Sequence, residues 1–361
     1  MKNEVLKNLS RWLPPLTSHN LGWLGGIVSV FFYVYLLVVL VRGGALWGVS
    51  STVEHLAVLA GLSVLYFAGS SARWIENRPV AERLRSYFAR MQRDRVAVVG
   101  ASLLVAFLCV AALAPLLAPY DPVAQSNPAL ERYRPPSVEH PMGTDKFGRD
   151  VLSRVIYGSR ISLAVGFLAV VLAAVFGMFV GAFSGYLGGR WDEAVMRVVD
   201  GLLSFPRLLL ALTLTAFFVN TFWLVVAVLA ATGWMGVARL VRVRVLSLKE
   251  RDFVQAAVAT GAGRTRIVMR HLVPEILGTV VVAATLRVGT IILLESYLSF
   301  LGLGVQPPVA SWGSMVLDGR EVLLSAWWVS AFPGLAIVVA VVACNLLGDG
   351  LRDALDTQGY R

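Results

Sequence analysis

Long uncharged apolar runs constrain this chain more than any other feature of its sequence. Runs at 21–41, 96–118 and 161–189 each exceed the roughly 20 residues a helix needs to cross a hydrocarbon core. Inside a bilayer every backbone N–H and C=O must find a partner within the protein, so such runs fold as bundled helices. The balance of residues agrees. Hydrophobic residues make up 57% of 361, charged residues 15%, and mean hydropathy is +0.71, which leaves too little charge to cover a soluble surface. The chain reads as an all-α, polytopic integral membrane protein.

Spans are expected near 21–41, 53–71, 96–118, 161–187, 200–219, 222–243, 276–303 and 327–348. The stretch 208–238 is uncharged, too long for one span and short for two. A turn at Asn220-Thr221 divides it, provided the first helix backs up through Pro206. Charge supports the division. With eight spans and an inner N-terminus, most of the 32 Lys and Arg fall inside, Arg207 and the dense cluster 239–270 among them. A single span at 208–238 would export that cluster. The net charge of +10 therefore marks the inner membrane face and not a nucleic-acid partner. The first run lacks an obvious small-residue cleavage site and reads as a retained helix, with a signal peptide as the weaker alternative.

Three units follow. Residues 1–71 form an extra N-terminal hairpin of two helices. Residues 72–95 form a basic inner linker, either a helix on anionic headgroups or a solvated connection. Residues 96–361 form the core, with an external loop at 119–160 and an inner loop at 244–275. The external loop carries Pro119, Pro122, Pro128, Pro135, Pro136 and Pro141, which favour a stiff, ordered cap. Its end, 148–158, mixes charged and apolar residues as an interfacial helix does.

Gly177, Gly181 and Gly185 recur every four residues, so one helix face is open to close approach, within the bundle or across a subunit interface. Arg287 and Glu295 lie inside the seventh span, about two turns apart. Charges there are costly, so the pair faces a wet translocation pathway or forms a packing pair. Asp200 reads as structural. Cys109 and Cys344 sit in apolar runs and read as packing residues. There is no nucleophile–base set, no metal-ligand spacing and no phosphate loop. Gly-Leu-Gly at 302–304 is no nucleotide motif.

The inner loop holds the most distinctive string, 255–274, Gln-Ala-Ala-Val-Ala-Thr-Gly-Ala-Gly-Arg-Thr-Arg-Ile-Val-Met-Arg-His-Leu-Val-Pro. It is basic and half-polar between very apolar neighbours. It predicts two short helices meeting at an elbow, with Gly261 supplying backbone freedom and Pro274 ending the second helix. Such an elbow gives a soluble partner something to grip.

This string resembles the "EAA" loop of ABC-importer permeases, which docks on the ATPase subunit. Gln255, Ala256, Ala257, Gly261, His271 and Pro274 fall at the family's spacing. Gln255 stands where that family usually has Glu; a charge is lost but a helical donor and acceptor remains. Three further strings resemble C-type subunits of the dipeptide, oligopeptide and nickel branch. They are His-Pro-Met-Gly-Thr-Asp-Lys-Phe-Gly-Arg-Asp-Val-Leu-Ser-Arg at 140–154, Leu-Ser-Phe-Leu-Gly-Leu-Gly-Val-Gln-Pro-Pro at 298–308 with Ser-Trp-Gly at 311–313, and Asn-Leu-Leu-Gly-Asp-Gly-Leu-Arg-Asp-Ala-Leu-Asp at 345–356.

The resemblance covers roughly 90–361. It implies a six-helix ABC type I importer permease core in a prokaryotic cell membrane, with both termini cytoplasmic. It also implies a second, homologous permease, two ATP-binding subunits and an extracytoplasmic solute-binding protein. This chain would bind no cofactor and catalyse nothing; ATP and Mg would sit on the partner ATPases. Peptides are the implied cargo, with oligosaccharides or nickel as alternatives. An ion-coupled secondary transporter would need mid-membrane acids and an inverted repeat, and Glu295 is the lone candidate.

Overall fold

A computed structural model of the chain describes residue 91 and residues 94–125, 131–218 and 220–355. The expected hairpin at 21–71 and most of the basic linker lie outside the described residues. Among the described residues regular structure is helical, apart from a β-bridge between Thr144 and Asp150. The all-α membrane class holds. Five helices are long and apolar enough to span, or six if one bent pair counts as a span.

α1 (Arg95–Ala112) starts where Asp94 accepts the Val96 N–H at 2.9 Å, and a short α2 (Ala114–Leu117) follows. α3 (Val151–Leu187) is one continuous helix of 37 residues. At about 1.5 Å per residue it is roughly 55 Å long, far beyond a hydrocarbon core of about 30 Å. The segment 148–158 is therefore not an interfacial helix. Its helical part is the projecting start of α3, and its charged residues Arg149, Asp150 and Arg154 are buried. Arg149 and Arg154 pair with Asp145, and Asp150 with His140, so these charges face protein.

The expected span 200–219 is not one helix. α4 (Gly189–Leu203) and α5 (Arg207–Ala216) meet at an angle of 85°. Pro206 accounts for the break, since it lacks the N–H and disfavours helical geometry in the residue before it. α4 is amphipathic. Asp192 accepts from Nε and Nη2 of Arg242 at 2.6 Å each and from the Ser184 hydroxyl at 2.5 Å, while Asp200 pairs with Arg239. α4 thus lies across the end of the bundle, and α5 rises from it.

α6 (Phe222–Leu248) is capped by Thr221, and α9 (Val273–Phe300) and α11 (Trp328–Leu355) complete the bundle. Between α6 and α9 lie α7 (Asp252–Ala259) and α8 (Arg264–Ile267); α10 (Trp312–Gly319) precedes α11. The glycine stripe of α3 sets the register of the main helix pair. A Cβ on Gly177 would lie 2.5 Å from Trp234 O; on Gly181 it would strike Ala238 O, and on Gly185 it would lie 2.9 Å from Arg242 O. The numbers rise together, so α3 and α6 run parallel. A parallel pair requires the chain to return across the bundle between them, so 188–221 is a crossing despite its bend. That gives six crossings for the described core.

The other pairs are antiparallel: α3 with α9 (Gly166 on Ile292), α9 with α11 (Gly289 on Val341, Gly348 on Leu286) and α1 with α11 (Gly100 on Leu347, Gly350 on Ala97). One end of the bundle therefore carries 119–125, 131–150 and 301–327, and the other carries α4, α7 and α8. Exposed Val171, Leu172, Val175 and Phe176 on α3 form an apolar outer face suited to lipid or another membrane helix.

Candidate functional site

The elbow is built by a helix stop written into the backbone. After α7, the Ala262 N–H donates to Ala257 O at 3.0 Å and the Gly261 N–H to Val258 O at 2.9 Å. This is a Schellman ending, which needs a left-handed residue, and Gly261 supplies it with φ of +77°. Gly263 then starts α8. The second helix does not stop at Pro274, as its sequence suggests. α8 runs through a π-turn, Val268–Leu272, into α9, and Pro274 sits in the first turn of α9. Proline removes one N–H and its ring crowds the carbonyl four residues back; the wider π-turn absorbs both at the join. The elbow is thus the start of a lever that is continuous from Arg264 to Phe300.

One side of the elbow is anchored. Val254, Ala257, Ile267, Val268, Leu272 and Ile276 are buried against Ala174, Met178 and Ala182 of α3 and Val237, Val241 and Val245 of α6. The other side is open. Gln255, Ala256, Gly261 and Pro274 are exposed, His271 is half-buried, and Phe253, Val258 and Met269 present apolar surface. Arg251, Arg264, Arg266 and Arg270 rim it, all exposed. The Gln255 amide donates to Lys249 O at 2.9 Å, so that side chain is tied to its own loop.

Arg287 and Glu295 do not meet. Glu295 is fully buried and accepts from Ser299 Oγ at 2.7 Å, with Ser162 Oγ at 3.4 Å; Ser311 Oγ stands 3.4 Å from Ser299 Oγ. It ties α9 to α3 and to the start of α10. Arg287 points to α6, donating to Gly233 O at 2.8 Å, and its guanidinium fills the space a Cβ on Gly236 would take. The glycine stripe packs within the chain, against α6.

Three features escaped sequence reasoning. Arg207 does not lie with the other basic residues at the elbow end. Its guanidinium donates to Leu229 O at 3.4 Å and sits beside Gly233, about 16 Å from the start of α6. A lone Arg after a proline at the edge of an apolar run resembles an ordinary flanking charge, so only the bend at Pro206 reveals its depth. The second feature is a buried ion network under the cap. Asp145 accepts from Arg149 Nε at 2.7 Å and pairs with Arg154, while Asp318 meets Lys146 at 2.8 Å and Arg154 at 3.5 Å. The string 140–154 was legible as a motif, but its partner Asp318 is remote in sequence. The third is the cap's docking. Trp328 Nε1 donates to Thr144 O at 3.2 Å, and His140 Nδ1 lies 2.9 Å from Asp150. A cavity of about 470 Å³ lies between Lys146, Arg154, Gln306, Pro308 and Asp318.

Comparison with known proteins places these elements in a wider set. Residues 173–358 match the family described as "binding-protein-dependent transport system inner membrane component". Residues 83–136 match the "N-terminal TM domain of oligopeptide transport permease C". The chain is 42% identical over 273 residues to the dipeptide transport system permease protein DppC of Alkalihalophilus pseudofirmus, covering 75% of this chain and 89% of that one. It is 39% identical to the oligopeptide transport system permease protein OppC of Bacillus subtilis (74% and 87% covered) and 38% identical to that of Haemophilus influenzae (74% and 86%).

Proposed function

This chain belongs to the inner membrane component family of binding-protein-dependent transport systems, and from that membership we propose that it is a permease subunit of an ATP-driven peptide importer. The relatives' names supply dipeptides and oligopeptides as cargo class. Its partners in this reading are a second, homologous permease, two ATP-binding subunits that carry ATP and Mg, and an extracytoplasmic solute-binding protein. The chain supplies pathway walls and a lever, and the chemistry belongs to the ATPases. The elbow end is cytoplasmic in this reading, with the termini, and the cap end faces the solute-binding protein. In this reading the chain divides into an extra N-terminal transmembrane hairpin at 1–71, a basic cytoplasmic linker at 72–95 and the permease core at 96–361.

The observation that carries the coupling role is the split elbow. Its inner side is cemented to α3 and α6, and its outer side offers Phe253, Ala256, Val258 and Met269 within an arginine rim. A partner that moves this knob moves α9, because α8 and α9 are one rod. The apolar centre and charged rim have the make-up of a docking patch. Gln255, Gly261, His271 and Pro274 shape it. Arg287 is assigned to the pathway, and Glu295, closed in its serine cluster, to helix packing.

The test is reconstitution of the chain with its partner permease, ATPases and binding protein in liposomes. Di- and oligopeptides are expected to stimulate ATP hydrolysis and accumulate, and cysteine cross-links from Val258 or Met269 are expected to capture an ATPase subunit. Accumulation of oligosaccharide or nickel in place of peptide would overturn the cargo assignment, and uptake without any ATPase would overturn the class.

A further inference from the structure

Two arginines on different helices converge on one backbone position in the middle of the bundle. Arg287 of α9 donates to Gly233 O at 2.8 Å. Arg207 of α5 has a terminal nitrogen 3.0 Å from where a Cβ on Gly233 would sit. Its Nε is buried with no hydrogen-bond partner among the described residues. Neither guanidinium has a carboxylate partner among the described residues. The facing stretches of α3, α5 and α6 carry no acid at all, and α9 carries only Glu275 and Glu295. Glu295 is spoken for by its serines. Like charges held together in apolar surroundings are costly, and charged side chains retained at such depth are by default functional.

The surroundings are apolar, with Val170, Ala173, Val237 and Ile291 on the walls, and the crevice has room for about one water, 10 Å³. Both side chains are only half-buried, so each keeps part of its surface outside the crevice. Two guanidiniums side by side offer forked donors that match a carboxylate. A phosphate or sulfate would match as well, but cargo of the class proposed above always carries a carboxylate. Resting on that reading, we propose that Arg207 and Arg287 form a carboxylate-receiving station in the translocation pathway, which the free α-carboxylate of the peptide engages as it passes mid-membrane.

The test uses the complete reconstituted complex and a matched pair of peptides, a free acid and its C-terminal amide. Arg207→Gln and Arg287→Gln are each expected to lower uptake of the acid relative to the amide by about tenfold, the effect of losing one good charge-assisted pair. Arg→Lys at either position is expected to restore part of the preference. A second readout needs no transport. Phenylglyoxal modification of the two arginines, followed by mass spectrometry, is expected to slow severalfold with millimolar free-acid peptide and not with the amide. Equal loss of acid and amide uptake with no protection would overturn the station. It would leave the arginines as packing groups or as partners for a carboxylate of the second permease. Failure of the wild-type complex to move any peptide is a different result and would sink the cargo assignment itself.

Discussion

Replacing Gly181 with alanine tests the fold at its tightest seam. A Cβ there would lie 2.9 Å from Val241 Cβ and closer still to Ala238 O, both on α6. Carbon–carbon contacts are comfortable at about 3.5–4.0 Å, so α3 and α6 must part by roughly 1 Å. Ala238 O is backbone and cannot rotate away. Gly177 and Gly185 are nearly as tight, so parting at one level loosens the whole stripe. Overpacking of this kind costs about 1–3 kcal/mol. Alanine also favours the helix by about 0.5–1 kcal/mol over glycine, which masks part of the cost. Gly201→Ala removes that ambiguity, because Gly201 is helical and a Cβ there meets nothing within 4 Å. The difference between the two variants isolates the clash. It should be about 2 kcal/mol, close to a thirtyfold change in the folded-to-unfolded ratio. Reversible unfolding in mixed dodecyl sulfate and maltoside micelles measures it. A difference below about 0.5 kcal/mol would refute the close approach of α3 and α6, and with it the parallel register that makes 188–221 a crossing.

Gly261→Pro should uncouple ATP hydrolysis from uptake, since proline holds φ near −65° where the elbow has +77° and removes the N–H given to Val258 O; an unchanged ratio of uptake to hydrolysis counts against the elbow as lever. Arg154→Met should destabilise the cap end by about 1.5–3 kcal/mol in micellar unfolding, because buried Asp145 loses one of its two arginine partners and keeps Arg149; a loss below about 0.5 kcal/mol would count against the network. Glu295→Gln keeps an acceptor for Ser299 and should cost under about 1 kcal/mol with uptake within about twofold. A tenfold loss of uptake by a stably folded variant would move Glu295 into the pathway.

The sequence by itself determined a large part of this protein, and the reason is the bilayer. A membrane helix must be long and apolar, so the runs near 96–118, 161–187, 222–243, 276–303 and 327–348 announced their own spans, and all five appear as helices. The elbow was legible too, because a left-handed helix stop needs glycine and Gly261 supplies it. Properties that depend on pairing between remote segments were not legible. The burial of the charged start of α3 follows from Asp145 and Asp318 pairing with arginines that looked like surface charges. The 85° bend at Pro206 lifts Arg207 from the bundle's end to its middle. The join at Pro274 is helical because a π-turn makes room for a residue that would otherwise break the rod. Local chemistry fixes where a helix can exist, but the depth, direction and partner of each charge depend on which helices lie beside it, and only the packed bundle decides that.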